Sequence, residues 1–96
     1  MKQDFTLEVA ADNNFSVLNR IINVLNRRRV RIKKLMSHED ENDFCKGGVI
    51  MLLFTTPEMI EKVSAQLEKL IEVEMVRAHE GSHIYYELSE RIVDVD

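Results

Sequence analysis

Ala11-Asp12-Asn13-Asn14-Phe15-Ser16-Val17-Leu18-Asn19-Arg20-Ile21-Ile22 is the stretch whose reading decides the fold. Its head, Asp12-Asn13-Asn14, carries turn and capping chemistry. Asn13 or Asn14 can accept from the first free N–H groups of a helix. Its tail puts Val17, Leu18, Ile21, Ile22 and, just beyond, Leu25 on one helical face. Upstream, Phe5-Thr6-Leu7-Glu8-Val9 alternates apolar and polar residues, which predicts a half-buried strand with Phe5, Leu7 and Val9 inward. The stretch is thus a strand end, a polar loop and a helix start. A helix start exposes unpaired N–H groups and the positive end of the dipole, a natural place to hold a carboxylate.

Downstream, Arg27, Arg28 and Arg29 close the helix, where positive charge complements the dipole. Val30-Arg31-Ile32 resumes alternation and opens a second strand. Its parity breaks at Lys33-Lys34 before Leu35, the signature of a bulge or a change of face. His38 to Asp43 is acidic and polar, and predicts a loop ended by Gly47-Gly48. Val49-Ile50-Met51-Leu52-Leu53-Phe54 is continuously apolar, as a central strand buried on both faces would be. Thr55-Thr56-Pro57-Glu58 is a helix start with a hydroxyl cap, proline in the first turn and a carboxylate near the positive end. Ile60, Val63, Leu67 and Leu70 form its buried stripe, and Val73, Met75 and Val76 a fourth strand. The segment Ile84-Tyr85-Tyr86-Glu87-Leu88 fits either a short strand or a helix.

The order strand, helix, strand, strand, helix, strand predicts an α+β, ferredoxin-like βαββαβ sandwich: a four-stranded antiparallel sheet with two helices on one face. In that plan the second strand lies at a sheet edge, with its ladder groups free to pair. The domain is expected over residues 1–80, with 81–96 as a C-terminal tail, one that could order on binding a partner.

Bulk composition narrows the function. Ninety-six residues form one domain with a modest core, so pairing with a second copy is reasonable. A net charge of −4 tells against general nucleic-acid binding. The longest apolar run is too short to span a bilayer, and the N-terminus carries no leader pattern. The single cysteine, Cys45, excludes an internal disulfide. Together these predict a cytoplasmic protein bound to neither nucleic acid nor membrane.

No catalytic set is assembled in the sequence. The loop from Asp12 to Ser16 has no glycine, lysine or arginine, which tells against phosphate chemistry. Its plain reading is an Asn-capped helix start. Its functional reading is a pocket for a small amphoteric ligand such as an amino acid, its carboxylate on the helix N–H groups and Asn13 bonding its ammonium or carboxylate. Arg27, Arg28, Arg29, Arg31, Lys33 and Lys34 make up six of the thirteen basic residues. They read as a solvated helix end and a charged edge strand, or as a docking surface for an acidic protein. His38 to Asp43 lacks EF-hand spacing, and His79 and His83 flank Gly81 in an expected loop, so no metal site is predicted. Cys45 is expected as a half-buried filler. No cofactor is implied.

Asp12 to Ile21 resembles the E-N-x-P/S-G-V/A-L-x-R-V segment that opens the first helix of ACT domains. Leu25-Asn26-Arg27-Arg28-Arg29-Val30-Arg31-Ile32-Lys33-Lys34-Leu35 resembles their F-x-x-R-G-x-N-I-x-S-L. Val63-Ser64-Ala65-Gln66-Leu67-Glu68-Lys69-Leu70-Ile71-Glu72-Val73 is similar to I-x-K-Q-L-x-K-L-I/V-D-V, typical of the regulatory small subunit of acetolactate synthase (acetohydroxyacid synthase). The likeness runs from residue 5 to about residue 80, as a single ACT unit of roughly that size would. It implies a short, single-ACT regulatory subunit with no catalysis of its own. It also implies a homodimer joined through the second-strand edge, and a partner: the thiamine-diphosphate-dependent catalytic subunit of branched-chain amino-acid biosynthesis. The implied effector site at the dimer interface comprises Asn13, Asn14, Phe15, Ser16 and Val17, with Arg31 from the neighbouring copy. Ser16 stands where the family has glycine and Arg31 where it has asparagine, so weak or absent valine sensing is expected. The alternative is a free-standing ACT module that binds another amino acid and regulates a different enzyme.

Overall fold

The computed structural model describes residues 1–93, in the order β1 (Gln3–Asp12), α1 (Phe15–Arg27), β2 (Arg31–Glu39), β3 (Lys46–Thr55), α2 (Pro57–Glu68), β4 (Val73–Glu80) and α3 (His83–Val93). The four strands form one antiparallel sheet in the order β2-β3-β1-β4, so β2 and β4 are its edges. This is the expected ferredoxin-like plan, with the apolar run of β3 in the interior.

Strand parity decides which layer each residue serves. Leu7 faces Met51 on one side and Ala78 on the other, and Met51 in turn faces Leu35. Leu7, Met51 and Leu35, with their neighbours Phe5, Val9, Ala11, Val49 and Leu53, pack on the buried stripes of both helices, while Ala78 on the β4 edge stays exposed. Those stripes are Val17, Ile21, Val24 and Leu25 of α1, and Ile60, Val63 and Leu67 of α2. Val24 was missing from the stripe expected for α1, whereas Leu18 and Ile22 are only half-buried. The bulge predicted in the second strand is present: pairing to β3 slips between Ile32 and Lys34.

The helix ends follow local chemistry. Asn14 caps α1, its side-chain oxygen accepting from Val17 N–H at 3.0 Å. Thr56 caps α2 through Met59 N–H at 3.2 Å, with Pro57 in the first turn. At the far end of α1, Arg29 N–H donates to the Asn26 carbonyl and Val30 N–H to the Leu25 carbonyl, each at 3.0 Å. This double bond pattern is the Schellman closure, completed by the buried pair Val30 and Leu25. It places Arg29 at φ 55°, in the left-handed region.

The structure corrects several expectations. Residues expected as an undecided tail form α3, which packs across the face of the sheet opposite α1 and α2; residues 94–96 of that tail lie outside the described residues. Tyr85 is buried with Ile50 and Leu52, and Leu88 and Ile92 pack against them. Apolar residues at both parities of β3 therefore have separate partners, one set for each face. The turn into α3 uses Gly81 at φ 82° and the buried Thr6 hydroxyl. That hydroxyl donates to the Gly81 carbonyl at 2.8 Å and accepts from Tyr85 N–H at 3.2 Å. His79 belongs to β4 and His83 opens α3, so neither lies in a loop. His38 and Glu39 end β2, while Gly47 and Gly48 belong to β3. Cys45 is exposed, because it sits in the hairpin between β2 and β3 and packs against no core.

Candidate functional site

A cavity of about 310 Å³ opens at the start of α1. Its polar edge is Asp12, Asn13 and Asn14; its apolar wall includes Phe15, Val17 and Leu18, and Ser37 and Gly48 close it from β2 and β3. The volume is in the range that holds a small ligand. The helix start brings free N–H groups to the same place, since α1 has no acidic residue in its first turn to occupy them.

Four of the six residues expected at the site, Asn13, Asn14, Phe15 and Val17, line this one cavity. Ser16 is exposed on the first turn and outside the lining. Arg31 begins β2 opposite Phe54, six residues before Ser37 and so about 20 Å away along the strand. Its guanidinium lies 6.0 Å from the centre of the Phe54 ring. Within one chain it does not meet the loop.

The loop is held from three sides. Asn13 N–H donates to the Cys45 carbonyl, and Asn13 Nδ2 to the Phe44 carbonyl, both at 2.9 Å. Asn13 thereby ties the loop to the β2–β3 hairpin and leaves its side-chain carbonyl for other use. Asp12 N–H donates to the Glu72 carbonyl at 3.0 Å. Lys46 Nζ lies between two carboxylates, Asp12 at 3.1 Å and Glu74 in a closer contact. Hydrogen bonding to Glu74 first and Asp12 second raises the ammonium's pKa well above its ordinary value.

Sequence reasoning missed Lys46, Ser37, Gly48 and Ile21 as members of this neighbourhood. Gly48 borders the cavity as bare backbone; a Cβ on it would project to the other face, within 2.9 Å of the Val9 carbonyl oxygen and 2.8 Å of His38 Nε2. Ser37 reaches the cavity only because the bulge resets the parity of β2. Phe15 in the cavity wall is 84% exposed, and Phe44 on the hairpin, whose carbonyl Asn13 holds, is 75% exposed.

A βαββαβ sandwich with a small cavity at its first helix start, beside an unpaired strand edge, has the architecture of a ligand-sensing regulatory module. The family profile described as ACT domain matches residues 13–76, and the chain belongs to the ACT domain family. ACT domains are regulatory rather than catalytic, and commonly dimerise and bind amino-acid effectors. No curated protein matches the chain in sequence. Among solved structures, the ACT domain of a GTP pyrophosphokinase from Chlorobium tepidum superposes with a TM-score of 0.71 at 11% identity, covering 82% of this chain and 100% of that one. The C-terminal domain of the MgtC protein from Mycobacterium tuberculosis gives 0.69 at 16% identity, covering 84% and 89%. The acetolactate synthase small subunit from Thermotoga maritima gives 0.69 at 21% identity, covering 79% of this chain and 47% of that one. This chain thus spans about half of that subunit. These likenesses establish the fold. Helix α3 lies beyond the residues that match the family.

Proposed function

We propose that the chain is a non-catalytic regulatory subunit that binds a thiamine-diphosphate-dependent acetolactate synthase in the cytoplasm and modulates it. The observation that carries this reading is the small cavity at the capped start of α1, placed beside the free β2 edge. The cavity reaches that edge through Ser37 of β2, which lines it. Two copies paired edge to edge through β2 would bring one chain's basic strand toward the other's cavity. The Gln66-Leu67-Glu68-Lys69-Leu70-Ile71-Glu72-Val73 string supports the particular partner. Ser16 in the first turn and the long cation of Arg31 support weak or absent response to valine.

Two experiments test the reading. Tagged protein from its native host should co-purify with a large thiamine-dependent enzyme; recovery of none rejects the partner. Calorimetry should show valine binding weaker than about 100 μM, that is, less than roughly 5.5 kcal/mol of binding free energy. Micromolar valine binding would reject the altered-sensor reading. The double substitution Ser16→Gly with Arg31→Asn should tighten valine binding, and an unchanged affinity would mean that those positions lie outside the site. A second reading, an ACT module regulating a different enzyme through another amino acid, is favoured by the varied proteins that share the fold. Co-purification of an unrelated enzyme would select it.

A further inference from the structure

A second cavity, of about 350 Å³, lies on the opposite side of the sheet, under the C-terminal half of α3. Its floor is one cross-strand row: His38 on β2, Gly48 on β3, Ala10 on β1 and Met75 on β4. The two central strands contribute the smallest side chains in that row, so the sheet is bare where the helix crosses it. Gly48 is sterically required, as a Cβ there would meet both His38 Nε2 and the Val9 carbonyl. Leu88 and Ile92 form the apolar roof.

Charges of both signs converge on this space. Arg91 enters from α3, Asp40 from the end of the β2 hairpin, and Glu8 from β1. Glu8 is already engaged, its Oε2 lying 2.6 Å from His79 Nε2. Arg91 and Asp40 form no ion pair among the described residues; Asp40 Oδ1 accepts from Asn42 N–H at 2.8 Å, which leaves its second oxygen for a ligand. A guanidinium offers a planar fork for a carboxylate, and a carboxylate accepts from an ammonium.

We propose that this cavity is a binding site for a small zwitterion, its carboxylate held by Arg91, its ammonium by Asp40, and its short apolar part on the floor of Ala10 and Gly48. The site lies on the face of the sheet opposite the α1 cavity, with Gly48 bordering both, and its ligand groups Arg91 and Asp40 belong to it alone, so it does not rest on the effector reading above. Ligand held between helix and sheet also ties α3 to the body of the domain.

The test is two-dimensional amide NMR on the whole chain, titrated with glycine, L-alanine, L-serine and L-valine to about 10 mM, a range that detects millimolar affinity. Saturable shifts are expected at the amides of Ala10, Met75 and α3 with at least one of the four. Arg91→Gln should weaken that binding at least about tenfold, and Arg91→Lys, which keeps the charge but loses the planar fork, should fall between Gln and the parent chain. Ala10→Leu, which fills the floor, should abolish it. Ser37→Leu, which narrows the α1 cavity instead, should leave it unchanged. The proposal is overturned if none of the four gives saturable shifts, if shifts are confined to Asn13–Val17, or if Arg91→Gln binds as tightly as the parent chain.

Discussion

The two faces of the sheet are built on different terms. The face under α1 and α2 is a continuous aliphatic layer, in which Leu7, Met51, Leu53, Ile21, Leu25, Val63 and Leu67 lose essentially all contact with water. The face under α3 buries only Ile50, Leu52 and Tyr85 as a hydrophobic cluster. The rest of that face is mixed: Thr6, Glu8, Ala10, His38, Gly48 and His79 lie among the half-buried Met36, Phe54 and Met75. Apolar burial scales with area, so the first face holds most of the folding free energy and the second holds one helix. The consequence is a division of labour. The well-packed face fixes the fold, and the sparse face has room for a cavity and for a helix that can respond.

The largest expected effect lies on the first face. Leu25→Ala removes a fully buried side chain of α1 and should cost about 2–5 kcal/mol. A domain of this size has only about 5–15 kcal/mol in total, so the urea midpoint should fall steeply and all amides should lose protection together. Retention of the parent midpoint would show that the α1 face is not the dominant core.

A smaller and more local loss is expected on the second face. Thr6→Val keeps the shape of the side chain but leaves the Tyr85 N–H and Gly81 carbonyl without their buried partner. The cost should be about 1–3 kcal/mol, expressed as faster hydrogen exchange in α3 with little change under α1 and α2. Loss of protection spread evenly over both faces would break the comparison. Next in size is Asn14→Ala, at about 1 kcal/mol, since it removes the oxygen that accepts from Val17 N–H. Thermal melting should register it, and ligand binding at the α1 cavity should weaken with it.

The difference between the faces also explains how much was legible in the sequence. The first face could be read almost whole. Alternation in Phe5 to Val9, the 3.6-residue stripes and the caps at Asn14 and Thr56 are local signals, and they agree with the global fold. The four cavity-lining residues Asn13, Asn14, Phe15 and Val17 were legible for the same reason, being consecutive on one loop and one turn. The second face was not. Ile84 to Leu88 has the composition of either element, and only Ile50 and Leu52, distant in sequence, make it a helix by giving Tyr85 somewhere to go. Lys46 was invisible as a loop clamp because its partners Asp12 and Glu74 lie on other strands. Ser37 depended on a bulge whose effect on register cannot be read from parity alone.

The smallest predicted effect has the opposite sign, and it concerns the closure of the first face. Arg29 occupies the left-handed position of a complete Schellman turn, at φ 55°. An L side chain there crowds its own carbonyl, which costs roughly 1 kcal/mol, and glycine avoids that contact. The backbone bonds of the turn, from Arg29 and Val30 to Asn26 and Leu25, do not depend on the side chain. Arg29→Gly should therefore keep the turn and relieve the strain. Part of the gain is offset because glycine also frees the unfolded chain, so a net stabilisation of about 0.5 kcal/mol is expected. Removing the charge relieves repulsion with Arg27 and Arg28 but also loses its interaction with the helix dipole, and both contributions fade at high salt, where the backbone gain stands alone. Chemical denaturation at two ionic strengths measures both parts. A destabilised variant would mean that the arginine side chain itself anchors the end of α1, and that this end of the well-packed face depends on surface charge rather than on Val30 and Leu25.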